Sequence, residues 1–236
     1  MVGQYGWMGK ILRIDLTRRV ASTMDTSRYA AEYIGGRGIA ARIAWEELPP
    51  GIDAYAAENR LIIMTGPLTG TIAPSSGRVA FCGVAPQAYP KPWYTRSNMG
   101  GFFGAELKYA GFDGLVIIGR AEAPTYIWVK DGEAQLLDAD EIWGRDTFST
   151  QAYLVQKHGE GTQVICIGPA GEHLVRYAVV QSGTEHAAGQ GGFGAVMGAK
   201  KLKAVVVKGS GAVRVAQPEE FLRRSNLVAS EVRSCD

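Results

Sequence analysis

Two glycine-rich stretches, GGFFGA at residues 100–105 and GGFGA at residues 191–195, decide the fold of this chain. Each stretch precedes a short predicted helix and then an apolar strand, at Leu115–Gly119 in the first case and at Ala204–Lys208 in the second. A glycine closes both strands, because Gly209 follows the second as Gly119 ends the first. The recurrence of the same features in the same order indicates an internal repeat.

The segments upstream of the two stretches recur as well. Buried strands are predicted at Leu61–Thr65 and Val164–Ile167, and they run into Gly66-Pro67 and Gly168-Pro169 respectively. With Gly100-Gly101-Phe102 matched to Gly191-Gly192-Phe193, the two copies are each about 100 residues long. We therefore predict an α+β fold in which internally duplicated strand–helix–strand units form one pseudo-symmetric, two-sheet domain.

Further elements surround the repeat. Ile11–Thr17 alternates apolar and polar residues, which predicts a half-buried strand. A hairpin around Asp131-Gly132 is predicted between the two copies. The aromatic, proline-rich segment before Gly100 and the polar segment before Gly191 are predicted to be loops. The remaining predictions are a helix from Thr26 or Ser27 to Gly35-Gly36, helices at Ile39–Leu48 and Phe148–His158, and strands at Val79–Val84 and Arg176–Gln181.

The repeated pattern ends at Gly209. Beyond it, Pro218-Glu219-Glu220 has the composition of a helix start, and Phe221–Val232 has apolar residues at roughly helical spacing. This helix has no apolar partner elsewhere in the sequence. We therefore predict that residues 1–210 form one domain and that residues 211–236 are the start of a truncated helical domain.

The composition excludes several classes of protein. The chain has 236 residues, 46 % of them hydrophobic, and a formal net charge of +2, which is typical of a globular protein and gives no reason to expect nucleic acid or a membrane as partner. The longest apolar runs have four or five residues, far fewer than the ~18 of a membrane span. Cys82, Cys166 and Cys235 match no disulfide framework, zinc site or iron–sulfur signature. Together with the lack of a signal-peptide pattern, these features predict a cytoplasmic protein.

The two glycine loops are candidate binding sites for an anion. Glycines let backbone N–H groups approach a ligand closely, and the start of a helix favours negative charge. Two such loops can hold a ligand with two phosphates, or they can be tight turns that pack a helix on a strand. Arg78 is a candidate phosphate partner, and His186 lies within the second loop. Gly35–Gly38 (GGRG) is either an anion nest or a helix end followed by a turn.

Together these motifs resemble the N-terminal domain of the tungsten-containing aldehyde ferredoxin oxidoreductase family. The resemblance runs from about Tyr5 to Gly209, nearly the whole chain. The segments that carry it are Tyr5–Leu16 (YGWMGKILRIDL), Gly66–Thr71 with Ala73-Pro74 and Gly77-Arg78, Asn98–Lys108 (NMGGFFGAELK), Ile167–Glu172, and Ala187–Gly198 (AAGQGGFGAVMG).

The resemblance implies that this domain forms the base for a tungsten or molybdenum bis-pterin cofactor. It implies a magnesium ion that bridges the phosphates of the two pterins and is held by the backbone carbonyls of Asn98 and Ala187. Members of the family carry arginine at the positions of His186 and Gln190, so this chain has less positive charge there. The implied cofactor-binding residues are Arg78, Asn98, Met99, Gly100, Gly101, His186, Ala187, Gln190 and Gly191.

The resemblance also implies an activity: oxidation of aldehydes to carboxylic acids, with electrons passed to ferredoxin through a four-iron four-sulfur cluster. In the family a Cys-x-x-Cys-x-x-x-Cys run in C-terminal helical domains binds the cluster, and this sequence contains no such run. No catalytic residue is assigned here. We predict a cofactor-binding part that is inactive alone and needs helical domains or a partner subunit, with a homo-oligomer also allowed. The alternatives are a cofactor-binding or interaction module completed by a partner chain, and an aryl-CoA reductase-type branch.

Overall fold

The computed structural model describes residues 5–88 and 90–234, which contain twelve strands and seven helices. The strands are β1 (Lys10–Asp15), β2 (Val20–Asp25), β3 (Leu61–Met64), β4 (Val79–Ala85), β5 (Trp93–Met99), β6 (Gly114–Ile118), β7 (Thr125–Lys130), β8 (Glu133–Asp138), β9 (Gln163–Cys166), β10 (Val180–Ser182), β11 (His186–Ala188) and β12 (Leu202–Lys208). The helices are α1 (Ser27–Tyr33), α2 (Arg37–Glu47), α3 (Phe103–Tyr109), α4 (Thr147–His158), α5 (Pro169–Glu172), α6 (Phe193–Ala199) and α7 (Pro218–Ser234).

The strands form two six-stranded sheets with the same internal order. The first is β2-β1-β6-β3-β4-β5 and the second is β8-β7-β12-β9-β10-β11. In each sheet an N-terminal hairpin, β1–β2 or β7–β8, is joined to the other four strands by a parallel pairing, β1 with β6 and β7 with β12. All other neighbouring strands are antiparallel. The predicted internally duplicated, two-sheet α+β domain is confirmed. We call β1–β6 with α1–α3 the first copy, and β7–β12 with α4–α6 the second copy.

The β7–β8 hairpin belongs to the second copy. The sequence predicts it between the two copies, and this position is wrong. The hairpin occupies the place in its sheet that the β1–β2 hairpin occupies in the first sheet. The counterpart was missed because β2 was not predicted. Met24 is the one residue of β2 that is even half-buried, so the strand lacks the apolar alternation that identifies a strand from sequence.

Two edge strands lie where loops were predicted. They are β5, in the aromatic segment, and β11, in the polar segment. An edge strand has a neighbour on one side only, and in β5 only Ser97 and Met99 are buried, so its sequence carries little apolar signal. The strand predicted at Arg176–Gln181 begins only at Val180, because a turn closed by a hydrogen bond from the Ala178 N–H to the Val175 carbonyl (2.8 Å) precedes it.

The two copies align on Phe103 and Phe193. Each begins a glycine-rich helix and each is fully buried, whereas Phe102, which the sequence spacing had matched with Phe193, is 73 % exposed. The sequence offset was wrong by one residue because the first stretch has two phenylalanines where the second has one, so that Gly101, and not Gly100, is the counterpart of Gly191.

A single apolar core fills the space between the two sheets, with the buried phenylalanines Phe81, Phe103, Phe112 and Phe193 among its members. The two glycine helices pack between the sheets, since α3 contacts β9 and β12 of the second sheet, and α6 contacts β3 and β4 of the first sheet as well as β12 of its own. The outer face of the first sheet is covered by α1 and α2, and that of the second by α4. Each sheet therefore has apolar side chains on both faces.

Lys200, at the end of α6, joins the second copy to the first. Its side chain is buried, and Nζ donates hydrogen bonds to the carbonyls of Asn59 (2.6 Å), Gly119 (3.0 Å) and Ala57 (3.2 Å). Three carbonyl oxygens around one ammonium satisfy all its donors. A side chain of the second copy thus fixes two loops of the first.

Helix α7 contributes little to this core. Ser225 is the buried residue of this helix, and Leu222, Leu227, Val228 and Val232 are all exposed. The helix predicted around Phe221–Val232 is confirmed, while the division into residues 1–210 and 211–236 stays a prediction. No helix within the described residues has the length and hydropathy required to cross a bilayer.

We expect the stability of the second sheet to depend on pH through His158. Its ring stacks on Trp128 with 4.1 Å between centroids, and Nε2 lies 3.1 Å from the hydroxyl of Tyr126. Burial, assisted by the charge of Lys157, lowers the pKa of His158. His158 therefore binds a proton more readily in the unfolded chain than in the folded one. The stabilising contribution of neutral His158 is complete above a pH of about 6.5 and is lost as the pH falls below it.

The measurement is the melting temperature between about pH 7.5 and about pH 5.5, a range in which histidine changes charge. Over this range the melting temperature of the wild type should fall further than that of His158→Phe, because phenylalanine keeps an aromatic ring on Trp128 but does not titrate. Parallel curves for the two proteins would contradict the expectation.

Candidate functional site

The two glycine loops lie against each other, because the edge strands that lead into them, β5 and β11, are in contact. The N–H of Gln190 donates a hydrogen bond to Ser97 Oγ at 3.1 Å. The N–H of Gly191 donates to Gln87 Oε1, and the Gly191 carbonyl accepts from the N–H of Gln87. The second loop is thus anchored on the first copy.

His186 packs onto the backbone of the first glycine loop. A Cβ atom placed on Gly101 would lie 2.6 Å from Cδ2 of His186, and one placed on Gly100 would lie 3.3 Å from Nδ1. Gly101 also has a φ of +84°, a conformation that strains other residues. Glycine at these two positions therefore leaves the space that the imidazole occupies.

Asn98 and Ala187 occupy equivalent positions in the two copies. Asn98 is the penultimate residue of β5 and pairs with Ala80 of β4, while Ala187 is the penultimate residue of β11 and pairs with Gln181 of β10. Both residues are exposed. Their main chains are related by the duplication, which suits two donors to one ion at the centre of a ligand with two similar halves.

The other predicted site residues differ in what they can present to a ligand. The side chain of Met99 is buried in the core, so only its main chain can face a ligand. Gly191 is buried, and a Cβ atom there would lie 2.8 Å from the ring of Phe193. Gln190 is exposed at the surface of the second loop.

A cleft of about 330 Å³ opens where the first glycine loop meets the outer face of the first sheet. Arg78 and Asn98 line it, together with Gly66-Pro67 and the Gly35–Arg37 turn that the sequence left between two interpretations. This turn connects α1 to α2, and Gly36 precedes α2 with no side chain capping the helix. The cleft is basic, since its lining includes two arginines and no carboxylate.

A buried polar cluster, which sequence reasoning missed, holds the Gly66-Pro67 wall of this cleft. Asp113 accepts hydrogen bonds from Thr26 Oγ1 at 2.7 Å and from two backbone N–H groups of the segment before β1, both at 2.9 Å. Lys108 Nζ lies 3.7 Å from Asp113 and donates to the Gly66 carbonyl at 3.0 Å. Burial lowers the pKa of Lys108 to about 8, against the opposing effect of Asp113.

The second copy has a buried ion pair at the corresponding place. Lys203 follows α6 as Asp113 follows α3, and its Nζ contacts Glu172 and the Arg145 carbonyl. The only signal for either pair in the sequence is a charged residue directly before, or within, an apolar strand, since Asp113 precedes Gly114–Ile118 and Lys203 lies in Leu202–Lys208.

Neither Cys82 nor Cys166 is placed to hold a metal. Cys82 and Cys166 are free and buried, and burial raises the pKa of Cys82 to about 11 and that of Cys166 to about 12, so neither supplies a thiolate at neutral pH. Cys235 lies outside the described residues. Across residues 5–88 and 90–234, no group of three or more His, Cys, Asp and Glu side chains is placed to bind a metal ion.

The duplicated fold has a counterpart in a solved oxidoreductase. The active site complex BamBC of benzoyl coenzyme A reductase, in complex with 1,5-dienoyl-CoA, matches with a TM-score of 0.92 and 35 % identity, over 97 % of this chain and 35 % of that chain. The fold thus defines a domain type found in larger oxidoreductases. Residues 11–209 match the family described as "Aldehyde ferredoxin oxidoreductase, N-terminal domain". The chain belongs to the aldehyde ferredoxin oxidoreductase family, as its motifs predicted.

Curated relatives support this assignment. The tungsten-containing aldehyde ferredoxin oxidoreductase of Pyrococcus furiosus is 41 % identical over 220 residues, which are 92 % of this chain and 36 % of that protein. The aliphatic sulfonate oxidoreductase, WOR-like subunit, of the same organism is 33 % identical over 93 % of this chain and 37 % of that protein. The chain spans little more than a third of the length of these relatives.

Proposed function

We propose that this chain is the cofactor-binding part of a tungsten bis-pterin oxidoreductase. The observation that supports it most is the equivalence of Asn98 and Ala187 beside two touching glycine loops. A bis-pterin has two like halves, and the two main-chain carbonyls are suitable ligands for a Mg²⁺ ion that bridges its phosphates, since this ion prefers oxygen donors. Molybdenum in place of tungsten would require the same contacts.

The remaining residues of the site have separate roles in this proposal. Arg78, exposed in the cleft beside Asn98, donates to oxygen atoms of a pterin or its phosphate. The main chain of Met99, Gly100, Gly101 and Gly191 approaches the ligand closely, while His186 and Gln190 supply side-chain donors on the second loop.

The bound metal centre supplies the redox chemistry that converts an aldehyde to a carboxylate. The residues of this chain bind and orient the cofactor. In the proposal, residues 1–210 are the cofactor domain and residues 211–236 begin a helical region. This helical region, with further domains or a partner subunit, completes the site. It also binds the four-iron cluster, through which electrons pass to ferredoxin. The cytoplasmic location and a homo-oligomeric state stay predictions.

An aryl-CoA reductase-type activity is the second candidate, and the match to the benzoyl coenzyme A reductase complex favours it. Identity is higher to the aldehyde enzymes, at 41 % against 35 %, which supports aldehyde oxidation. A benzoyl-CoA reduction assay and an aldehyde oxidation assay on the assembled enzyme would separate the two, because each should show turnover with only one substrate.

We expect the chain, produced in cells supplied with tungstate and molybdate, to carry metal and pterin in bis-pterin stoichiometry. Metal analysis and pterin fluorescence after denaturation measure both. Arg78→Gln should lower both contents, whereas Arg42→Gln, at a half-buried arginine paired with Glu46 on α2, should leave them unchanged. The chain alone should not reduce a viologen dye with an aldehyde. Metal-free, pterin-free wild type would refute cofactor binding, and dye reduction would refute the need for further domains.

A further inference from the structure

We infer that Arg37 and Arg96 form, with Arg78, a basic groove that binds phosphate groups along the outer face of β4 and β5. The inference deepens the proposed function and rests on it for the nature of the ligand. It adds two guanidinium groups to the site residues that the family resemblance implies, and it extends the site from the first glycine loop toward the middle of the sheet.

The register of β4 and β5 places two of the three arginines. Alternate residues of a strand share one face of the sheet, so Arg78, Ala80 and Cys82 share the face that α2 covers. Ala80 pairs with Asn98 and Cys82 pairs with Arg96. Arg96 therefore lies on the same face of the sheet and is the next residue of β5 on that face after Asn98.

Arg37 reaches this face from the first turn of α2. It lines the cleft with Arg78 and Asn98. Ala80 of β4 lines the same cleft. Arg37 therefore lies on the same face of the sheet as Arg78 and Asn98.

These three guanidinium groups have no protein partner, whereas other arginines nearby do. Arg13 and Arg60 pair with Glu47, and Arg42 pairs with Glu46. Among residues 5–88 and 90–234, no ion pair or side-chain hydrogen bond involves Arg37, Arg78 or Arg96. Like charges grouped without a counter-charge repel one another, and arginine is the side chain that recognises phosphate by paired hydrogen bonds.

The size of the groove fits more than one phosphate. Arg78 and Cys82 are four residues apart, which is about 13 Å along a strand. Arg37 and Arg78 line the cleft at one end of this distance, and Arg96 pairs with Cys82 at the other end. Two phosphate groups can therefore be contacted at once.

The second copy lacks the groove, so it is not a by-product of the fold. Gln181 and Gly183 stand where the first copy has Ala80 and Cys82. Helix α4 begins after Asp146, whose carboxylate accepts hydrogen bonds from the helix, and Thr147 Oγ1 donates to Gln181 Oε1 at 3.1 Å. An acidic cap and a hydrogen-bonded pair thus stand at the place that corresponds to the basic groove.

The test is the affinity of the purified chain for inorganic pyrophosphate, measured by calorimetry at low ionic strength. Arg37→Gln and Arg96→Gln should each weaken binding roughly tenfold or more, the usual effect of losing a charge-assisted hydrogen bond. Arg42→Gln, on the same helix, should bind like wild type. Wild type that does not bind pyrophosphate, or an Arg42→Gln variant weakened as much as Arg37→Gln, would overturn the inference. Unchanged circular dichroism of all three variants excludes misfolding as the cause.

Two further measurements distinguish the two possible sources of the phosphate groups, which are a metallopterin cofactor and a coenzyme A substrate. If Arg37→Gln loses metallopterin, the phosphate groups belong to the cofactor. If coenzyme A binds more tightly than pyrophosphate and its binding requires Arg37, the phosphate groups belong to a coenzyme A substrate. If Arg37→Gln keeps both pyrophosphate binding and metallopterin while Arg78→Gln loses metallopterin, the groove is wrong and the proposed function stands. If pyrophosphate binding needs Arg37 but wild type carries no metallopterin, the groove stands and the proposed function is wrong.

Discussion

Gly101→Ala is expected to lose nearly all of the bound cofactor. Its φ of +84° becomes strained once a side chain is present, and the new Cβ would lie 2.6 Å from Cδ2 of His186. The imidazole must move, and with it the contact that sets the spacing of the two loops. A displacement of about 1 Å at a bound group can cost a hundredfold in function, so we expect metal and pterin contents to fall roughly tenfold or more.

Gly132→Ala is the matched control. Gly132 has a φ of +91°, but a Cβ atom there meets nothing within 4 Å. It therefore adds similar backbone strain in the β7–β8 turn, where it meets no residue of either glycine loop, and should keep the cofactor. In the double variant Gly101→Ala/His186→Ala the collision is gone, and part of the content should return. Equal losses in Gly101→Ala and Gly132→Ala would mean that general destabilisation, and not loop spacing, is responsible.

Asp113→Ala should lower the free energy of unfolding by about 3–5 kcal/mol, the usual result of removing one partner of a buried ion pair. The substitution leaves the Lys108 ammonium without its counter-charge and leaves three donors without an acceptor, among them Thr26 Oγ1. Both Lys108 and Asp113 are fully buried, so water does not replace the lost contacts. Urea denaturation followed by fluorescence measures the change.

Asp131→Ala is the comparison for this experiment. Asp131 also accepts backbone and hydroxyl hydrogen bonds, from Ser210, but at an exposed position, and its removal should cost about 1 kcal/mol or less. Adding Lys108→Met to Asp113→Ala should recover part of the loss, because the unpaired buried charge is removed. Similar costs for Asp113→Ala and Asp131→Ala would show that the buried pair is not what holds the Gly66-Pro67 wall.

The duplication could be predicted from sequence because its markers are local. Gly66-Pro67, Gly168-Pro169 and the two glycine stretches have distinctive backbone requirements, and the apolar strands beside them are buried on both faces. Strands β2, β5 and β11 could not be predicted in this way. They lie at or next to the sheet edges, where solvent accepts polar side chains and the apolar alternation disappears.

The site could be predicted in part for a similar reason. Arg78, Asn98 and Ala187 stand within recognisable motifs, and the structure places Arg78 and Asn98 in one cleft and the two loops in contact. Arg96 and Asp113 carry no local signal. The first joins the cleft through the register of β5 on β4, and the second joins its cluster through contacts with residues about a hundred positions away. Such pairings depend on the tertiary fold, which a local pattern does not encode.

The packing of α3 and α6 against the opposite sheets makes each copy depend on the other to cover its inner face. Two separate chains of about 100 residues would have to associate to make the same contacts. Here one chain contains both halves, which therefore always meet in a fixed ratio and orientation. One half can thus carry basic residues such as Arg37 and Arg96 while the other carries an acidic helix cap.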